Sequence, residues 1–176
     1  MVDETKQKWH NYLATTAVFF AVLATLSTFM GNRYSTRAIM NQSKASDYWA
    51  YYQSKSVKEY LFEVRRDQLD LEASAKGLPA AAAELWTAKA RDYDNQIKRY
   101  EAEKQKIAEE AKAFENDRDQ FQLHSWAFGM AVIFLQVAIV ISSVAALMKI
   151  KIIWHLSLIF GVIGTFFFVD GFLLFI

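Results

Sequence analysis

Few side chains in this chain of 176 residues could do chemistry, and none of them forms a reaction centre. Asp170 is the one acidic residue inside a long apolar block, and Gln136 lies near the middle of another. An ionisable group in hydrocarbon is costly, so its first reading is functional, as part of a proton or ion pathway. Asp170 stands six residues before the last residue, about 9 Å along a helix. Its second reading is therefore structural, with His124, Arg33 or a backbone N–H satisfying the carboxylate. Gln136 can be read as an interhelical hydrogen-bond former or as a pore residue. A third group is Asp47, Trp49, Tyr51, Tyr52, Gln53 and Lys55, which places polar and aromatic side chains within three helical turns. It is a candidate interaction patch. The competing reading puts Trp49 and Tyr52 in the core between two helices and Lys55 in an ion pair between them.

The remaining chemistry is excluded more than suggested. His10, His124 and His155 are scattered and form no ligand cluster. There is no HExxH pair, phosphate-binding glycine loop, dinucleotide fingerprint or Ser-His-Asp arrangement. The chain has no cysteine, which removes disulfides, thiolate metal sites and cysteine nucleophiles. Its net charge of +1 gives no electrostatic footprint for nucleic acid. The expectation is a protein that is not an enzyme, with no catalytic residue, metal or cofactor.

The elements that must position these residues are helices. Hydrophobic residues make up 53% of the chain and fall into three blocks, each of about the 20 residues needed to cross a bilayer. The first, 12–30, follows a short polar N-terminus at 1–11 and carries no charge. It is too long for the apolar core of a cleaved signal and reads as an anchor. The second is 126–148 and the third 154–176, joined by a short basic turn at 149–153. Small residues recur every fourth position at Ala17, Ala21 and Thr25, and again at Ala138, Ser142 and Ala146, which suits close helix packing. Gly161 and Gly164 permit close packing or a bend in the third block.

Between the first two blocks lies a long polar segment, 31–125, with a turn expected at 77–79, where Gly77 and Pro79 suit the end of one helix and the start of the next. From Trp86 the chain can be read in alternating steps of four and three: Ala90, Tyr93, Ile97, Tyr100, Lys104, Ile107, Ala111, Phe114, Arg118, Phe121, Ser125 and Phe128. That is the seam of a coiled coil held for about six heptads. Lys104 and Arg118 in this seam either fix the register or send their stems to solvent. Val57, Tyr60, Val64 and Leu71 recur at helical spacing in the first arm. The two arms are matched in length, roughly 70 Å each. The fold expected is all-α, with three transmembrane helices and a long antiparallel helical hairpin, a coiled coil, between the first and second. If the turn centres on Leu78, Trp49 should face Ile107, Val64 should face Tyr93, Leu71 should face Trp86, and Lys55 should face Glu101.

One stretch is familiar. Ala45-Ser46-Asp47-Tyr48-Trp49-Ala50-Tyr51-Tyr52-Gln53-Ser54-Lys55-Ser56, preceded by Asn41-Gln42, resembles the signature of a bacterial membrane-protein family recorded as a domain of unknown function. The resemblance implies an N-terminal span, a charged helical middle and C-terminal spans in a bacterial inner-membrane protein. It brings no activity with it.

Orientation follows from charge. Lys149 and Lys151 in a short turn favour the cytoplasm, and Lys6 and Lys8 agree. Arg33, Arg37 and Lys44 argue the other way, but they belong to a long translocated segment whose charges count for less. The balance favours a periplasmic hairpin. Two function classes remain: an oligomeric scaffold or assembly protein using its hairpin for self- or partner association, and a channel- or transporter-like oligomer using Asp170 and Gln136. The partners expected are the lipid bilayer, further copies of the chain and a protein bound to the hairpin. Tyr48, Trp49, Tyr51 and Tyr52 surround the first arm, and Tyr60, Phe62, Phe114 and Phe121 add more rings than one packed stripe needs. That excess is the reason to expect a homo-oligomer.

Overall fold

A computed structural model describes residues 2–75 and 80–175. Among these residues there are three helices and no strand: α1 (Val2–Ala75), α2 (Ala80–Met148) and α3 (Lys151–Leu173). The turn expected at 77–79 lies outside the described residues. The long helices are a consequence of composition. No proline falls inside any of them, and their polar stretches are dominated by residues that lose little freedom in a helix. The boundaries at 30/31 and 125/126 are changes of composition only, since α1 and α2 run through them unbroken.

The chain forms two compact units, residues 1–40 with 117–176, and residues 41–116. In the first unit three helices share two small cores. Phe20, Leu23 and Ala24 of α1 meet Ala131, Leu135 and Ala138 of α2, with Leu158, Phe160, Phe167 and Phe168 of α3 packed around them. Trp9 and Leu13 meet Ala145, flanked by Ile153 and Trp154. In hydrocarbon there is no water to expel, so association rests on close van der Waals contact and on the few polar bonds available. The glycines and small residues mark those contacts. A methyl group on Gly161 would stand 2.0 Å from the Phe20 ring, one on Gly164 2.7 Å from Leu135, and one on Gly171 2.8 Å from Phe128. Phe128, the end of the heptad seam, is fully buried against Gly31, Tyr34, Gly171, Phe168 and Phe172. Ser142 donates to Ser157 Oγ at 2.9 Å, and Ser157 donates to the carbonyl of Trp154. The row Ala138, Ser142, Ala146 thus packs inside the chain.

The connection from α2 to α3 is shorter than the five residues expected. Lys149 takes a left-handed conformation, φ 56°, and the N–H of Ile150 reaches back to the carbonyl of Ala145. This closes α2 in the Schellman manner with lysine where glycine is usual. α3 therefore begins at Lys151, not at Trp154.

The second unit is a two-helix antiparallel hairpin, as expected. Its seam positions from Trp86 to Phe114 are all half-buried or buried, and Ala111 is fully enclosed. The partner stripe on α1 is Asn41, Ala45, Tyr48, Tyr52, Lys55, Glu59, Phe62, Arg66 and Leu69, which keeps the same alternation of three and four.

Candidate interaction site

The α1 stripe differs from the one expected. Val57, Tyr60 and Leu71 do not face the second arm; they are 61%, 64% and 71% exposed. The stripe that does face it carries Lys55, Glu59 and Arg66, residues that look from the sequence like a solvated surface. They are held by opposite charges on α2. Lys55 Nζ reaches Glu103 Oε2 at 2.6 Å, Arg66 reaches Asp94 at 3.3 Å, and Lys104 pairs with Glu59. The expected partner of Lys55, Glu101, sits on the exposed side of α2, because two residues along a helix turn a side chain by about 200°. Trp49 donates its indole N–H to Glu115 at 2.9 Å. Phe62 packs on Tyr93 at 5.7 Å between ring centres. Trp86 shares a small cavity with Leu69, Asp70 and Ala73, and Leu71 points away.

Rings and cations alternate along this seam. Lys55 Nζ lies 5.2 Å from the centre of Tyr51 and 5.4 Å from that of Tyr100. Lys104 lies 5.5 Å from Tyr52, and Lys44 5.3 Å from Phe114. Such contacts are worth about 0.5–1 kcal/mol at exposed sites and more when desolvated. The hydrogen bond from Lys55, then that from Arg99, holds the Glu103 carboxyl below its ordinary range. Lys55 is raised by Glu103 and Lys104 by Glu59. Glu110 raises the Tyr48 phenol by accepting its hydrogen bond. Lys104 is thus a satisfied polar residue inside the seam, the arrangement by which polar seam residues fix register. Arg118 stays half-buried and pairs with Asp119 of its own helix, at 2.7 Å.

The candidate patch therefore divides. Trp49, Tyr52 and Lys55 belong to the packing between the arms, while Asp47, Tyr51 and Gln53 are exposed. Tyr48, Phe62, Phe114 and Phe121 are also half-buried within the chain, so the aromatic excess left over is smaller than expected. Glu59, Arg66, Glu103 and Glu115 were missed. Stepping by four and three from Ala38 through Lys55 would have reached Glu59 and Arg66.

The two intramembrane candidates lie apart. Asp170 is 1% exposed, and its carboxylate accepts the N–H of Phe175 at 2.6 Å. Of the alternatives considered, the backbone N–H is among its partners. Leu174, left-handed at φ 49°, sends its N–H to the carbonyl of Asp170, and His124 Nδ1 lies 2.8 Å from that of Gly171. Asp170 thus closes the C-terminal end of α3. Gln136 is exposed on α2, in a shallow groove with Ile133, Val137, Val140 and Ile141. Among the described residues no group of three or more His, Cys, Asp or Glu could hold a metal ion.

Three helices long and apolar enough to cross a membrane, two of them continuing into a polar hairpin with an ion-paired seam, define a multi-pass helical membrane protein. The chain belongs to the family described as Domain of unknown function (DUF4337), which it matches over residues 9–174. No curated protein and no solved structure matches it.

Proposed function

We propose that this chain is a non-enzymatic, homo-oligomeric scaffold or assembly protein of the bacterial inner membrane, using its hairpin for self- or partner association. One observation carries the reading. Of the row Val57, Tyr60, Val64 and Leu71, which recurs at helical spacing, Val64 is half-buried, while the second arm packs on a different face and leaves the other three to solvent. An apolar row on a polar helix is a surface for another helix. Gln53 lies on the same face of the helix. The hairpin is read as periplasmic from the lysines at 149 and 151. The channel-like alternative needs Asp170 to face water, and its burial and its bond to Phe175 speak for the scaffold.

The test uses the full chain in mild detergent. Tyr60→Cys, in a protein with no other cysteine, should give disulfide-linked dimers on mild oxidation. The double change Val57→Lys with Tyr60→Lys should lower the mass of the assembly. No crosslink at position 60 and an unchanged mass in the double variant would overturn self-association through this face.

A further inference from the structure

The membrane part of α2 carries a second heptad row on its outer side. Gly129, Ile133, Gln136, Val140, Ser143 and Leu147 follow one another in steps of four and three, and all six are exposed. Ile133, Val140 and Leu147 are 55%, 62% and 87% exposed, and nothing lies within 4 Å of where a Gly129 side chain would begin. The row alternates in character. Gly129, Gln136 and Ser143, seven residues apart, are small or polar, and Ile133, Val140 and Leu147, each four residues further on, are aliphatic. The Ser143 hydroxyl is satisfied by the Ile139 carbonyl of its own helix. The Gln136 amide has no partner among the described residues.

We propose that this row is the contact between the α2 helices of two copies of the chain, packed in parallel about a two-fold axis along the membrane normal, with Gln136 hydrogen-bonded to Gln136 of the second copy. Lipid tails offer an amide neither donor nor acceptor, and a polar group left unsatisfied in hydrocarbon is costly. A carboxamide carries both donors and an acceptor, so it complements a second carboxamide at the same depth. Insertion in the bilayer gives every copy the same orientation. A two-fold axis along the normal therefore brings each residue of the row to its own counterpart. Layers of Gly129, Gln136 and Ser143 then alternate with layers of Ile133, Val140 and Leu147, as the two position types of a coiled-coil seam do. Another protein's helix would have to present a matching polar group at this depth, which a second copy supplies by symmetry. The inference shares with the scaffold reading the need for a homo-oligomer, and it adds where in the membrane the copies meet.

The experiment uses the full chain in mild detergent and in lipid nanodiscs. Gly129→Cys, Gln136→Cys and Ser143→Cys are oxidised separately, with Val162→Cys on the exposed side of α3 as comparison. The expected result is a disulfide-linked band of twice the chain mass at positions 129, 136 and 143, and none at 162. Gln136→Leu should weaken self-association by roughly three- to tenfold, and Gln136→Asn should keep it, the range expected of one interhelical hydrogen bond. A monomeric wild type overturns both this contact and the self-association reading. An oligomer that crosslinks at Tyr60→Cys or Val162→Cys but at none of the three row positions overturns the contact and leaves the scaffold reading standing. Crosslinking along the row with none at Tyr60→Cys, and an unchanged mass in the Val57→Lys, Tyr60→Lys variant, leaves the contact standing and overturns self-association through the hairpin face. A crosslinked band whose mass is not twice the chain identifies a foreign helix and overturns the proposal.

Discussion

Two residues show how differently one apolar block can use its unusual members. Asp170 is an acid in a span, but its carboxylate holds the Phe175 N–H where the helix ladder has run out. Asp170→Ala should leave that donor unpaired and lower stability by about 1–3 kcal/mol. Asp170→Asn keeps an acceptor oxygen and should lose less. Thermal unfolding in detergent measures both, and equal losses would mean that the charge itself is needed. Gly164 is a contact, not a hinge. Its missing side chain is where Leu135 sits, including the backbone nitrogen of Leu135 at 3.0 Å. Gly164→Ala should therefore overpack the α2–α3 contact and cost about 1–3 kcal/mol in the same assay. If the Ala variant were as stable as the wild type, the two helices would have room to part that the packing does not show.

At the scale of the elements, the hairpin is held by a seam that mixes rings with charges. Glu103 is kept below its ordinary 4.5, so its pairing contributes fully above that pH and is lost as pH falls through the lowered value. Lys55 and Lys104 are kept above their ordinary 10.5, so their contribution is full below that pH and is lost as pH rises through the raised values. The hairpin should therefore melt at a nearly constant temperature through the neutral range and at lower temperatures beyond both limits. Circular dichroism followed across pH reads this directly. The Glu59–Lys104 pair is the most enclosed of these contacts, with the side chains 11% and 17% exposed. Glu59→Leu or Lys104→Met alone should destabilise, because each leaves a half-buried charge without its partner. The two together should recover much of the loss, since a well-packed apolar pair often replaces a buried ion pair without cost. A double variant no better than the sum of the singles would show that the pair is not coupled.

At the scale of the molecule, the open question is which side of the membrane holds the polar segment. The turn at Lys149 and Ile150 is only two residues long, and Lys151 opens α3, so its two lysines are fixed close to the ends of two spans, where positive charge has most effect on orientation. A reporter active only in the cytoplasm should work when inserted at Lys149 and be silent when inserted at Gly77. The opposite pattern would mean that Arg33 and Arg37 govern insertion and that the hairpin is cytoplasmic.

Much of this was legible in the residues alone. Three apolar blocks of bilayer length, the lack of internal proline and the unbroken heptads from Trp86 to Phe128 determine an all-α chain with a hairpin, because period and length are local properties. The absence of cysteine and of catalytic motifs is equally a property of the string. What tertiary structure alone decided is which face of each helix meets which. The Val57, Tyr60, Val64 and Leu71 row has the apolar periodicity of a core, and Lys55, Glu59 and Arg66 have the composition of a surface, yet the second is packed and three of the first four are open. A charged residue can enter a seam only where its opposite stands across it, and that partner lies some 30 to 50 residues away in the chain. In the same way Gln136 and Asp170 are alike as polar residues in apolar blocks. Only the packing of three helices turned one inward to a backbone N–H and left the other facing out.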